Sequence, residues 1–120
     1  MKYALVVDDE YLNREVIRLY LEELFYEVIE ASNGEEAVAI FEKSPQKFNL
    51  ITMDYNMPRM DGVEAINYIR NQNQKIPIIG ISAAAQIMHR QLKKPHNIRV
   101  LRKPLDKAEF ELVIKELALE

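Results

Sequence analysis

Five short apolar runs recur along this chain: Tyr3 to Val7, Glu27 to Ala31, Leu50 to Met53, Ile76 to Ile81 and Ile98 to Leu101. Each is followed by a stretch in which apolar residues fall three or four positions apart. Runs of this length, rich in Val and Ile and bounded by polar residues, read as strands buried on both faces, and the intervening stretches read as amphipathic helices. Strict alternation constrains the topology, because parallel neighbours need a crossover and a helix is the usual one. The expectation is an α/β fold with a parallel sheet covered by helices on both faces; if the strand order is the flavodoxin-like 2-1-3-4-5, it is a (βα)5 three-layer sandwich.

The helical segments carry their own start and stop signals. From Tyr11 to Leu24, the residues Leu12, Val16, Ile17, Tyr20, Leu21 and Leu24 predict one buried stripe. Ser32-Asn33-Gly34-Glu35-Glu36 supplies a cap and first-turn acids for a second helix that runs to Lys43, buries Ala37, Val38 and Phe41, and stops at Ser44-Pro45. Asp61-Gly62 opens a third helix with Val63, Ile66 and Ile69 inward. A fourth begins in Ala83-Ala84-Ala85 and is broken by Pro95-His96-Asn97, and a fifth runs from Asp106 to about Leu119 with Phe110, Val113, Ile114 and Leu117 inward.

At 120 residues with 48% hydrophobic content, one domain spanning 1–120 is expected, long enough to hold a core without metals or disulfides as staples. The absence of cysteine excludes thiolate catalysis, zinc ribbons and iron–sulfur clusters. No apolar run approaches the roughly 18 residues of a membrane span, and acid after seven residues comes too early for a signal peptide, so a cytoplasmic, membrane-free protein is expected. A pI near 5.5 argues against nucleic-acid binding. The net charge of -3 conceals an asymmetry: residues 1–60 hold 6 Lys+Arg against 12 Asp+Glu, and residues 61–120 hold 10 against 7.

In open parallel sheets, ligands bind beyond the carboxyl ends of the strands, where the strand order reverses. Asp8 and Asp9 follow the first run, Asp54 the third, Ser82 the fourth and Lys103 the fifth. With the first and third strands adjacent, the three carboxylates share a crevice and need a cation, and an all-oxygen donor set suits Mg²⁺, with Mn²⁺ an alternative. A cation, a hydroxyl and an ammonium around one aspartate suggest phosphoryl chemistry, with Asp54 as the nucleophile and the backbone carbonyl of Asn56 completing the metal shell. Taken singly, each residue has a plainer reading. Asp8-Asp9-Glu10 and Ser82 resemble helix caps, Asp61-Gly62 is a cap and turn, and Lys103 is a solvated charge; Met53, Met57 and Met60 pack, and His89 and His96 lie on the surface in no ligand spacing. The set of strand ends is what favours the functional reading.

VVDDE, MDYNMPRMDG, ISA and KP, in that order across the whole chain, resemble the receiver domain of two-component response regulators, of the chemotaxis or hybrid-kinase type. The resemblance implies that Asp54 accepts a phosphoryl group from a phosphohistidine on a sensor histidine kinase or histidine phosphotransfer protein. It implies that Asp8, Asp9, Asp54 and the Asn56 carbonyl handle Mg²⁺, that Lys103 pairs with the phosphoryl group, that Ser82 and Ala83 bind and sense it, and that Lys103-Pro104 is cis. Receivers commonly dock partners or dimerise through the fourth helix, fifth strand and fifth helix. Here residues 84–107 include Arg90, Lys93, Lys94, Arg99, Arg102, Lys103 and Lys107 against one acid, Asp106, which fits an acidic downstream partner or a homodimer.

Two departures concern the switch. Val100 stands where receivers usually carry a Tyr or Phe that turns inward, and Lys94-Pro95-His96-Asn97 replaces the small turn before the fifth strand, predicting a short or displaced fourth helix. The output change is accordingly expected to be small, or carried by loops and that helix. Three other functions compete. A small-molecule phosphatase acting through an aspartyl phosphate is disfavoured because Tyr55-Asn56 follows Asp54 where a second Asp would serve as acid and base. A phosphorylation-independent interaction module is disfavoured by the complete set of site residues, and a flavodoxin-like cofactor carrier by Asp-Asp in place of a Ser/Thr/Gly-rich phosphate loop.

Overall fold

Strands β1 (Lys2–Val7) and β3 (Leu50–Asp54) form the centre of a five-stranded parallel sheet, with β2 (Tyr26–Ala31) outside β1 and β4 (Ile78–Ser82) and β5 (Ile98–Arg102) beyond β3. This computed structural model describes residues 1–119; Glu120, the last residue of the expected domain, lies outside the described residues. The order is β2-β1-β3-β4-β5, the flavodoxin-like one expected. Leu5 and Val7 point to one face of β1, where α2 (Gly34–Lys43), α3 (Gly62–Gln72) and α4 (Ala85–Gln91) contribute Phe41, Ile66 and Met88. Ala4 and Val6 point to the other, where α1 (Tyr11–Glu23) and α5 (Lys107–Ala118) contribute Leu21 and Phe110. Phe41 and Phe110 are fully buried, and truncating either to alanine in such a core costs about 3–5 kcal/mol.

The helix signals resolve into specific bonds. Asn33 caps α2, its Oδ1 accepting the Glu36 amide at 2.8 Å, and Glu36 reaches back to the Ser32 amide at 2.7 Å. Asp61 and Glu64 form a reciprocal capping box at the start of α3, and Asp106 caps α5. All the inward residues expected for α2, α3 and α5 are buried.

Several boundaries and one face differ from expectation. On α1 only Ile17 and Leu21 of the stripe are buried, whereas Leu12 is 74% exposed and Val16 43%. Tyr20 and Leu24 of the stripe pack partly against the core, whereas Leu12 and Val16, in the first half of the helix, stay in solvent. Strand β4 starts at Ile78 rather than Ile76, because Pro77 lacks an amide to donate and the Ile76 amide is taken by Asn73 Oδ1. Helix α4 starts at Ala85, within the expected Ala83-Ala84-Ala85, and spans only 7 residues. Its connection to β5 is held by Arg70, a residue with no sequence signal for burial. The Arg70 guanidinium is 1% exposed and donates to the His96 carbonyl at 2.7 Å and to those of Asn97 and Asn73. Burial without a carboxylate partner lowers its pKa to about 10. Asn97 adopts a left-handed φ of 61°, taking the role of the small residue that the turn lacks.

Candidate functional site

The site forms because β1 and β3 are paired through Val7 and Met53, so the residues that follow them emerge side by side. Asp8 and Asp54 are 1% and 5% exposed, and Asp9 stands in solvent. In an extended segment adjacent Asp8 and Asp9 would point apart, but here they converge. The Glu10 amide donates to Asp8 Oδ1 at 2.9 Å, the chain bends at Asp9, and one oxygen from each of Asp8, Asp9 and Asp54 falls within 4.8 Å of the others.

Lys103, at the end of β5, reaches across the sheet edge. Its Nζ lies 2.9 Å from Asp54 Oδ1 and 3.6 Å from Asp8 Oδ2. The Lys103-Pro104 peptide is cis, and the Lys103 amide donates to the Ser82 carbonyl at 3.1 Å. Burial opposes the ammonium charge, but Asp54 and Asp8 outweigh it and hold the Lys103 pKa above its ordinary value. Burial pushes Asp54 up to about 6; the Lys103 hydrogen bond pulls it back, and Asp8 adds to the rise. Asp8 is also raised, again chiefly by burial, with the Glu10 amide and Lys103 opposing.

One ammonium facing three carboxylates leaves a surplus of negative charge in a half-buried crevice. All the clustered donors are oxygens, a set that fits a hard divalent cation such as Mg²⁺ or Mn²⁺ and not zinc. Asn56 lies two residues beyond Asp54 in the exposed loop leading to α3. That loop closes tightly: a β-carbon on Gly62 would lie 2.0 Å from the Asp54 carbonyl oxygen, so glycine is required beyond its place in the helix start. Ser82 is 2% exposed and its hydroxyl accepts the Ala84 amide at 2.9 Å, while Ala83 is exposed beside it. Val100 lies half-buried against the core on the α4 side.

A cleft of about 540 Å³ opens beside Asp8 and Lys103, floored by Val16, Ile17 and Ile81 and edged by Pro104 and Leu105. Four contacts around the site were not anticipated. Arg14 binds both the Asp8 carbonyl, at 2.8 Å, and Glu30, at 2.8 Å, and Arg18 also binds Glu30. The Tyr55 hydroxyl donates to Gln91 Oε1 at the end of α4, at 2.8 Å. An acid at position 30, within the second strand, is the one sequence sign of the Arg14 contact, whereas Tyr55 and Gln91 are 36 positions apart and carry no sign.

A doubly wound parallel sheet with an acidic crevice at its switch point and a lysine across it defines a class of small α/β signalling domain. The family model for the response regulator receiver domain matches residues 4–115, and the chain belongs to that family. It is 39% identical over 87 residues to the sensor protein EvgS of Escherichia coli K12, an alignment covering 72% of this chain and 7% of that protein. The chain thus spans only a small part of such relatives. Among solved structures, the receiver domain of the sensor histidine kinase PA1611 from Pseudomonas aeruginosa PAO1, with a magnesium ion coordinated in its active-site cleft, superposes with a TM-score of 0.85 at 30% identity, covering 99% of this chain and 98% of that one. The response regulator TrrA of Thermotoga maritima, in complex with Mg²⁺ and BeF, gives 0.83 at 30% identity, with coverage of 98% and 99%. Among the described residues, no helix is long and apolar enough to cross a membrane.

Proposed function

We propose that this domain accepts a phosphoryl group on Asp54 from a phosphohistidine and carries the resulting change to a partner. The observation that supports this most directly is the placement of Asp54 between Lys103 and the two other carboxylates of the cluster. A pKa of about 6 leaves Asp54 mostly ionised at neutral pH yet poorly solvated, which favours it as a nucleophile. A carboxylate oxygen of Asp54 attacks phosphorus, the P–N bond to the donor imidazole breaks, and the imidazole leaves with the bonding pair. Asp8, Asp9 and Asp54, together with the Asn56 carbonyl, would hold Mg²⁺, which when bound neutralises charge on the phosphoryl oxygens. Lys103 moves from pairing with the free Asp54 carboxylate to pairing with the transferred group, and Ser82 and Ala83 offer it a hydroxyl and an amide.

The donor reaches Asp54 through the cleft beside α1. Exposed Leu12 and Val16, with Pro104 and Leu105 at the rim, give the phosphohistidine-bearing partner an apolar surface next to the reacting carboxylate. The basic surface within residues 84–107, including exposed Arg90, Lys93, Lys94 and Arg102, suits a second, acidic downstream partner or a homodimer.

Intact mass after incubation with an acyl phosphate and Mg²⁺ tests the reading. One phosphoryl adduct on the wild type and none on Asp54→Asn is the expected result. An adduct that persists in Asp54→Asn, or rapid turnover of the donor without any accumulating adduct, would reject it.

A further inference from the structure

We propose that Arg14 is a positioning residue for the cation site: by binding the Asp8 carbonyl it fixes the peptide that joins Asp8 to Asp9. The proposal rests on the reading of the acidic cluster as a Mg²⁺ site. Asp8 is held at three points. Its amide donates to the Ala31 carbonyl at 3.2 Å, its Oδ1 accepts the Glu10 amide, and its carbonyl accepts Arg14 Nη1 at 2.8 Å. The first bond fixes the backbone where β1 ends, and the second closes a turn across Asp9. The third is the direct bond to the Asp8-Asp9 peptide, and because that unit is planar, the direction of its carbonyl helps to set where the Asp9 α-carbon, and with it the carboxylate, is aimed. Asp9 is the exposed member of the cluster, so packing does not aim it.

Arg14 is itself fixed. Its Nε donates to Glu30 Oε1 at 2.8 Å while Nη1 meets the carbonyl, so the rigid guanidinium spans the strand pair from β2 to the end of β1. Arg18 occupies the other Glu30 oxygen. The Arg14 side chain is 16% exposed, which distinguishes it from a solvated surface ion pair.

A merely electrostatic role makes the opposite forecast. Arg14 and Arg18 with Glu30 carry a net positive charge beside the site, so deleting Arg14 removes a repulsion and should tighten cation binding. A positioning role weakens binding despite that gain, and the loss of such an outer contact typically reduces metal affinity by about 10- to 100-fold.

The test is the Mg²⁺ affinity of the free domain, followed by the amide resonances of Asp8 and Asp9, alongside urea unfolding. Arg14→Ala, and Arg14→Met, which keeps the apolar stem and the packing should the alanine variant fail to fold, are expected to bind Mg²⁺ at least about tenfold more weakly. Arg18→Ala, which loses a comparable ion pair but no contact to Asp8, is expected to bind as the wild type does or slightly more tightly. Equal or tighter binding by the folded Arg14 variants, or an equal weakening by Arg18→Ala, overturns the assignment. A wild type that binds no Mg²⁺ overturns the cation site as well, so the two failures are distinguishable.

Discussion

Asp54 is a buried carboxylate whose ionisation the fold resists even with Lys103 2.9 Å away. Its pKa rises from 3.8 in the unfolded chain to about 6. The folded state therefore binds more protons than the unfolded one between those values, and stability falls as pH rises through that window, then stays level. A rise of that size corresponds to a cost of about 3 kcal/mol at neutral pH. Asp54→Asn keeps the shape and removes the charge, so it is expected to stabilise the Mg²⁺-free domain at pH 7 by about 2 kcal/mol, and by much less near pH 4.5. Urea unfolding at the two pH values checks this; destabilisation at pH 7 would show that the Lys103 contact outweighs burial. The gain should shrink on adding Mg²⁺, which stabilises the ionised wild type. Asp8, Asp54 and Lys103 are legible in the sequence because each stands at the carboxyl end of a strand, and that position is a property of pattern. Arg14 is not legible, since a basic residue early in an amphipathic helix looks the same whether it meets solvent or a carbonyl.

Helix α4 shows what pattern alone leaves open at the scale of an element. Its shortness is expected from Pro95, but what seats it is not: Met88 is fully buried against Gly80, where a β-carbon would sit 2.7 Å from the Met88 methyl, and Tyr55 ties its last turn to the loop that leaves Asp54. Val100 on β5 is aliphatic, and Tyr55 is an aromatic that spans from the residue after Asp54 to α4. A hydroxyl-to-amide bond of this kind contributes roughly 1 kcal/mol. Tyr55→Phe is thus expected to speed amide exchange across Ala85–Gln91 about fivefold while leaving exchange in β1 and β3 unchanged, measured by hydrogen exchange. Unchanged exchange in α4 would show that Met88 alone holds it. Helices α2, α3 and α5 are legible because their stripes match their contacts, whereas in α1 the apolar surface exceeds what the core covers.

Over the whole molecule, the separation of charge along the chain becomes a separation of surfaces. The acidic first half contributes the three carboxylates of the crevice, and the basic second half contributes Lys103 and the exposed residues around α4 and β5. The surplus apolar part of α1 lies between the crevice and solvent, where Val16 forms part of the cleft floor and Leu12 extends the apolar surface outward. On the proposed function, a donor protein would cover that surface to bring its phosphohistidine to Asp54, whereas a small phosphodonor would need only the cleft. Leu12→Glu separates the two. The residue is 74% exposed in the first turn of α1, where a carboxylate is favoured by the helix dipole, so the fold should be unaffected. Phosphorylation by an acyl phosphate is expected to proceed at the wild-type rate, while transfer from a phosphorylated histidine phosphotransfer protein that serves the wild type should slow by about tenfold or more, the effect of burying an unpaired charge in an apolar contact. Equal slowing with both donors would place the defect in the chemistry of the crevice, and no slowing with either would move the donor's docking surface off α1.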